Sequence, residues 1–333
     1  FSNAQQFIQS CGKRYIIIDG SVLGMGRGAG NLCSEILTQY INENIEYRYH
    51  TELLLELMDE YISPISYIHP WGYSAGYFLA ATNNCHPNYV SFLLNKQTLN
   101  MKQIYQVLKE IPSNERSLYN EKLISGLYLK FQENEIDDKD TIHALQKMMK
   151  DKKIVVIAPG KSVTDEREKI EEYMRQEDLF VISVNSIPEY IVPDIVFISN
   201  QKRYHQLKKE QGIKNLPFPV ITTSNIQVSK AVQYIVNYSS LVMADEMITD
   251  NACLMLFNLL LNMGVERTDV IGFDGYHTNV ERNYYSNRLI NSSDREKLRT
   301  INKHIRKYMK KIKAHMEINY VTTSLYETKH NDQ

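Results

Sequence analysis

The chain has no long hydrophobic run. No stretch approaches 18 apolar residues, which removes a membrane-spanning helix from consideration. A secretory leader is missing too, because the sequence from Phe1 onward offers neither a basic start nor an apolar signal core. Cysteine is scarce: Cys11, Cys33, Cys85 and Cys253 are widely separated and form no C-x-x-C pair. That spacing excludes a disulfide framework, fits a reducing compartment, and makes each thiol a small buried hydrophobe by default. Excess charge of either sign is also lacking, with 38 Lys and Arg against 39 Asp and Glu and a net charge of -1. No global field therefore gathers nucleic acid or anionic lipid, and the basic run Lys307–Lys313 reads as a solvated helix face. These absences leave a soluble, cytoplasmic protein with no nucleic-acid partner. Its 333 residues suffice for two units with cores of their own.

What is present falls into three stretches. Residues 3–12 carry a helical pattern. Tyr15-Ile16-Ile17-Ile18-Asp19 is almost wholly apolar, as expected of a parallel strand covered on both faces. A glycine loop from Gly20 to Gly30 and a helix opening at Ser34 complete a strand–loop–helix unit. From Tyr47 to about Gln132 only helical periodicity appears, broken by Pro64, Pro70, Pro87 and Pro112. The charged run Glu133–Asp140 has the composition of a linker and precedes one amphipathic helix. The expected organisation is therefore 1–45, 46–150 and 151–327. The opening at Phe1, without an initiator methionine and already inside a helical pattern, is what a segment of a longer chain would show.

The last stretch alternates strands and helices. Strands are predicted at 153–158, 179–184, 194–198, 219–223, 269–273 and 318–321, with helices at 251–263 and 293–315 between the later ones. That alternation predicts an α/β fold with a doubly wound, Rossmann-like parallel sheet. The polar candidates follow its strands: Ser162, then Asn185 and Ser186, then Thr223 and Asn225, then Asp274, then Ser324. In an open parallel sheet such positions converge on the ligand crevice.

Each candidate has a functional and a structural reading. Ala158-Pro159-Gly160-Lys161-Ser162 places a tight turn before a helix N-terminus suited to phosphate, yet it lacks the first glycine of a Walker A loop, and a plain turn remains open. Asn185 and Asn225 can read a base or ribose edge, or cap helices. Asp274, in Gly272-Phe273-Asp274-Gly275-Tyr276, can accept a sugar hydroxyl proton or cap a turn. His277, with the tyrosines at 276, 284 and 285, forms a patch suited to stacking or acid chemistry. Residues 275–292 have the composition of a flap that folds over ligand.

The combination Ala-Pro-Gly-Lys-Ser, Ser183-Val184-Asn185-Ser186, Thr223-Ser224-Asn225, Asp250-Asn251-Ala252-Cys253 and Gly272-Phe273-Asp274-Gly275-Tyr276 resembles the bacterial sialyltransferases that use CMP-sialic acid. It is also similar to a hydroxymethylpterin pyrophosphokinase-like domain of unknown function. The resemblance implies a CMP-type nucleotide or nucleotide sugar held by Gly160, Lys161, Ser162, Asn185, Ser186, Asn225, Asn251 and Ser324. It implies Asp274 and His277 as the catalytic candidates, although the family's catalytic histidine has no secure counterpart. Pyrophosphoryl transfer is the variant that would need Mg²⁺ and carboxylates, for which Asp245, Glu246 and Asp250 are available.

The front glycine loop, Asp19-Gly20-Ser21-Val22-Leu23-Gly24-Met25-Gly26-Arg27-Gly28-Ala29-Gly30-Asn31, resembles the last quarter of the metal-dependent aldolase and lyase barrels. These include 4-hydroxy-2-oxovalerate aldolase and hydroxymethylglutaryl-CoA lyase. The resemblance implies the terminal part of a (β/α)8 barrel, with Asn31 as ligand of a divalent ion (Mg or Mn) and the rest of the metal shell before Phe1. The missing N-terminal barrel half would come from the same or another chain, and His50, His69 and His86 do not replace it. Together the two resemblances imply a bifunctional bacterial enzyme of surface-glycan or sugar-acid metabolism. Its substrate would be a small molecule or glycan, with self-association into a homo-oligomer left open. The alternative is a non-catalytic nucleotide-binding or scaffold module.

Overall fold

The structure, a computed structural model, describes the chain apart from residues 13, 27–29, 69, 97, 212–217, 229–231, 280–281, 287–294 and 328–333. The chain divides into two compact units, one of residues 1–91 and 108–120 and one of residues 92–107 and 121–333.

The front unit carries helices α1 (Ser2–Ser10), α2 (Ser34–Asn44), α3 (Thr51–Leu57), α4 (Ser63–Ile68) and α5 (Ala75–Thr82), with a π-helical turn at Met58–Ile62 between α3 and α4. Ser74 starts α5 by accepting the Tyr77 N–H at 3.2 Å, the expected N-cap bond. The glycine loop closes on itself: the Ser21 N–H donates to Leu32 O at 2.9 Å and the Asn31 N–H to Gly24 O at 2.9 Å. The Trp71 indole N–H seals it through Leu23 O at 2.9 Å.

The strand expected at 15–19 does not form. The segment has no ladder partner among the described residues, and Ser21 and Cys33 make only an isolated bridge. Tyr15 is 92 % exposed and Ile17 76 % exposed. The sequence pattern anticipated burial on two faces, and the described residues cover only the Ile16 and Ile18 side, and that in part. Tyr67, Ile68 and Tyr73 are exposed in the same unit.

Helices α6 (Pro87–Lys96) and α7 (Met101–Lys109) run between residues of the two units, and Pro87 stands at the first helical position of α6, where its missing N–H costs nothing. The rear unit continues with α8 (Glu121–Gln132), α9 (Lys139–Met149), β1 (Lys153–Ile157), α10 (Ser162–Asp165), α11 (Arg167–Tyr173), β2 (Leu179–Val184), β3 (Ile195–Ile198), α12 (Gln201–Gln211), β4 (Val220–Thr223), β5 (Tyr234–Val236), α13 (Ala252–Asn262), β6 (Arg267–Ile271), α14 (Arg295–Lys313) and β7 (Glu317–Tyr320). The charged segment at 133–140 is anchored rather than free. Asn134 exchanges bonds with Ser224, and Asp138 accepts the Asn237 N–H at 2.7 Å.

The seven strands form one all-parallel sheet in the order β5-β4-β3-β2-β1-β6-β7. Successive residues point to opposite faces, and both faces are covered. Ile154 and Val156 of β1 pack with α13 and α14 through Leu256, Ile305 and Met309, whereas Val155 and Ile157 face Ile170 of α11. The predicted parallel α/β class is therefore present. The one strand not foreseen is β5, a three-residue edge too short to leave an apolar run.

Candidate functional site

The strand order reverses between β1 and β6: from β1 the chain moves to β2 on one side, and β6 lies on the other. The loops leaving their C-terminal ends line a cleft there, the usual ligand position in such sheets. Residues 158–160 and 272–276 line it, with Asn251, Cys253, Asn283, Tyr284, Ile305 and Tyr326 completing the wall. The cavity itself is small, about 60 Å³, and opens to solvent.

Two glycines let the loops meet. A Cβ at Gly160 would lie 2.2 Å from Gly272 O, and one at Gly272, whose φ is +73°, would lie 2.2 Å from Ala158 O. The ladder continues beyond the strands, with the Gly160 N–H donating to Gly272 O at 2.9 Å.

Asp274 crosses that junction. Its carboxylate accepts the Ser162 N–H at 2.8 Å and the Ser162 hydroxyl at 2.5 Å. The Thr322 hydroxyl accepts the Gly272 N–H at 2.9 Å and sits 3.0 Å from the Ser162 hydroxyl, so the ends of β1, β6 and β7 share one polar cluster. The N–H that the sequence offers to phosphate is thus already bonded to a carboxylate of the same chain, and α10 is a single turn. Burial pushes the Asp274 carboxyl above its ordinary value, the nearby Glu166 and Asp165 push the same way, and the Ser162 bonds only partly offset them. Glu166 itself is held low: its burial is outweighed by the Thr323 N–H, at 2.8 Å, and by Lys169.

The cleft wall is mostly aromatic. Phe273 and Tyr326 lie tilted by 43° with centroids 4.8 Å apart, and Phe273 meets Phe257 edge-on at 5.5 Å. The neighbouring Tyr284 and burial push the Tyr276 phenol well up, and burial does the same for Tyr326. Burial pushes the Cys253 thiol up to about 12, so it lines the cleft as a neutral group and not as a nucleophile.

The remaining candidates divide. Asn251 lines the cleft and also caps α13, its Oδ1 accepting the Leu254 N–H at 3.2 Å. Ser324 fixes the β6 loop by donating to Phe273 O at 2.5 Å. Lys161 pairs with Asp165 at 3.6 Å. Asn185, Ser186, Asn225 and His277 do not line the cleft. Asn185 follows β2 in the left-handed region, φ +56°, where asparagine is tolerated better than most side chains, and its Oδ1 accepts the Ser199 N–H at 3.3 Å. Ser186 donates to Val184 O at 3.3 Å. Asn225 donates to Gln132 Oε1 at 2.7 Å and accepts from the Thr223 hydroxyl. His277 is exposed, its Nδ1 accepting the Asn279 N–H at 3.0 Å. Residues 280–281 and 287–292 of the expected flap lie outside the described residues.

Sequence reasoning missed Asn302. Its Oδ1 accepts the Tyr276 N–H at 2.8 Å and the Tyr326 hydroxyl at 2.7 Å, while its Nδ2 donates to Tyr276 O at 2.7 Å. The available signal was a small amide between Leu298 and Ile305 on the apolar side of a basic helix.

In the front unit, Asn31 spends its Nδ2 on Met25 O at 2.9 Å, and Arg27 and His69 lie outside the described residues. Among the described residues no three His, Cys, Asp or Glu side chains gather as a metal shell. One neutral amide does not fit a hard divalent ion, which takes about six oxygens. Two of the three carboxylates considered for Mg²⁺ are engaged elsewhere, since Asp245 pairs with His304 at 2.7 Å and Asp250 accepts the Tyr128 hydroxyl, while Glu246 is exposed.

No helix among the described residues is long and apolar enough to cross a membrane. Set against protein-family models, curated proteins and solved structures, the chain matches none.

Proposed function

We propose that the rear unit binds a nucleotide or nucleotide sugar of the CMP type in the crevice between β1 and β6 and transfers the sugar to a glycan or small-molecule acceptor. The observation that carries the reading is the meeting of the Gly160 and Gly272 loops beside an aromatic cleft, with one buried carboxylate, Asp274, at the junction. In this reading the aromatic wall takes the flat base or sugar face. Asp274 accepts the acceptor hydroxyl proton, a role favoured by an elevated pKa because the base then lies nearer neutral pH. Lys161 faces the leaving phosphate, and His277, which does not line the cleft, is given no step.

The front unit is read as the end of an aldolase-type barrel acting on a 2-oxo acid. Its exposed Tyr15 and Ile17 support the idea that further barrel strands cover them, from the same chain or another. Because its described residues offer no metal shell, no chemical step is assigned to it.

The test is calorimetric titration of the whole chain with CMP, CTP, GTP and ATP, repeated on Asn251→Ser, which keeps a capping hydroxyl for α13 and deletes the amide that lines the cleft. Cytidine-selective binding weakened about tenfold, the value of one lost hydrogen bond, supports the assignment. Unchanged affinity removes Asn251 from the site. No binding of any nucleotide favours the scaffold reading, which the protein-satisfied amides of Asn225 and Asn251 already support.

A further inference from the structure

The helix α14 has two unlike faces. Leu298, Ile305, Met309 and Ile312 are buried in the core, so the apolar side is fully spent inside the protein. The outer side carries Arg299, Lys303, Arg306, Lys307, Lys310 and Lys311, all exposed. Their spacing of three and four residues keeps them on one side of the helix, over a length of about 18 Å. No acidic residue occurs from Lys297 to Lys313, and none of the six makes an ion pair among the described residues. Arg306 donates to Leu325 O at 3.0 Å, and Lys311 lies over the Tyr308 ring at 6.0 Å from its centroid. The whole chain has a net charge of -1, so this concentration of cations is balanced by acidic surface elsewhere.

We propose that the outer face of α14 docks the protein on an anionic phospholipid surface by electrostatic adsorption, without insertion. The charge pattern selects that occupant. Four of the six cations are lysines, compact point charges suited to a diffuse field, whereas paired recognition of individual phosphates favours arginine. The face carries no exposed aromatic ring on which bases of a single strand would stack. A flexible polyanion would also run onto the acidic remainder and be repelled, whereas a planar lipid surface meets one face only and leaves distant charge screened beyond about 8 Å. A cluster of four to eight Lys or Arg on one helix is the size that such adsorption requires. The buried inner face rules out the alternative in which the helix rolls its apolar side into the bilayer.

Sedimentation of the full chain with vesicles tests this, using phosphatidylcholine alone and phosphatidylcholine mixed with phosphatidylglycerol. The comparison runs the unmodified protein beside Lys303→Gln/Lys307→Gln/Lys310→Gln and a control, Lys102→Gln/Lys122→Gln/Lys147→Gln, which removes the same charge from exposed lysines of α7, α8 and α9. Partitioning onto the mixed vesicles alone is expected, abolished by high salt. Each α14 lysine contributes about fivefold, so the triple variant loses about a hundredfold while the control changes little. A thermal melt confirms that both variants fold. Equal loss in both variants would show a net-charge effect and overturn the proposal, as would absence of binding to the mixed vesicles. Tighter capture by duplex DNA than by the mixed vesicles at the same salt would overturn it in favour of a nucleic-acid surface.

Discussion

Substituting Gly160 by alanine probes the junction that organises the rear unit. The added Cβ would lie 2.2 Å from Gly272 O and 2.6 Å from the Asp274 carboxylate, whereas a carbon–oxygen contact relaxes at about 3.3 Å. The obstruction at Gly272 is backbone, so no rotamer change relieves it. The loops must separate by about 1 Å, which takes the Gly160 N–H···O Gly272 bond from 2.9 Å to beyond bonding distance. That bond is worth about 1 kcal/mol, and the carboxylate bonds from Ser162 about 1.5–3 kcal/mol each when broken. Reduced freedom of the unfolded chain returns about 0.4–1 kcal/mol, because the φ of Gly160 is open to alanine. The net cost is about 2–4 kcal/mol. Hydrogen exchange read on peptides from β1 and β6 is the assay, since it reports local opening where a chain of two units defeats two-state analysis. Protection should fall roughly 30- to 1000-fold, at tenfold per 1.4 kcal/mol. A fall of less than about threefold would mean that the loops part freely and that their contact fixes nothing.

Two further experiments test the charges. The raised carboxyl of Asp274 makes the native state bind a proton more tightly than the unfolded chain, so its stabilising effect is complete at low pH and is lost as pH rises through the folded value. Asp274→Asn removes this dependence, and hydrogen exchange of β1 and β6 peptides, compared at each pH, should show the unmodified protein losing ground to the variant as pH rises across that window; a difference constant with pH would contradict the burial argument. At the opposite end of the sheet, the buried Asp269 accepts from Lys153 at 2.8 Å and from the Tyr173 hydroxyl, bonds that outweigh its burial and hold its carboxyl low. Lys153→Met leaves that carboxylate without its nearest cation at a cost of about 3 kcal/mol, and adding Asp269→Leu should recover most of the lost hydrogen-exchange protection in β1 and β6. No recovery would mean that Lys153 acts by packing instead.

The strands of the rear sheet were legible because burial on both faces writes itself as short continuous apolar runs, and β1, β2 and β3 are nearly or wholly of that kind. The same rule failed at Tyr15–Ile18. An apolar run records the environment in which a segment is meant to sit, and a strand also needs a neighbour to exchange backbone bonds with. The described chain supplies none, so the run stands with Tyr15 and Ile17 in solvent. The failure is informative because the pattern and the exposure disagree at one place, and a covering element reconciles them.

At the site, sequence position located the polar residues at strand ends but could not say what they bond. Asn225 and Asp274 look alike by position, each a polar side chain beyond an apolar strand. Asn225 turns back onto Gln132, a residue 93 positions away in sequence, and becomes part of the framework. Asp274 turns onto Ser162, 112 positions away, and takes the N–H that a phosphate would have used. Only the three-dimensional pairing separates the two. It also changes the chemistry expected of the glycine loop: a carboxylate already seated on the turn disfavours a second anion there, which leaves the aromatic wall as the stronger basis for recognition. A ligand whose affinity comes from a flat ring should therefore bind with weak salt dependence, whereas one held by its phosphate would weaken steeply as salt is added.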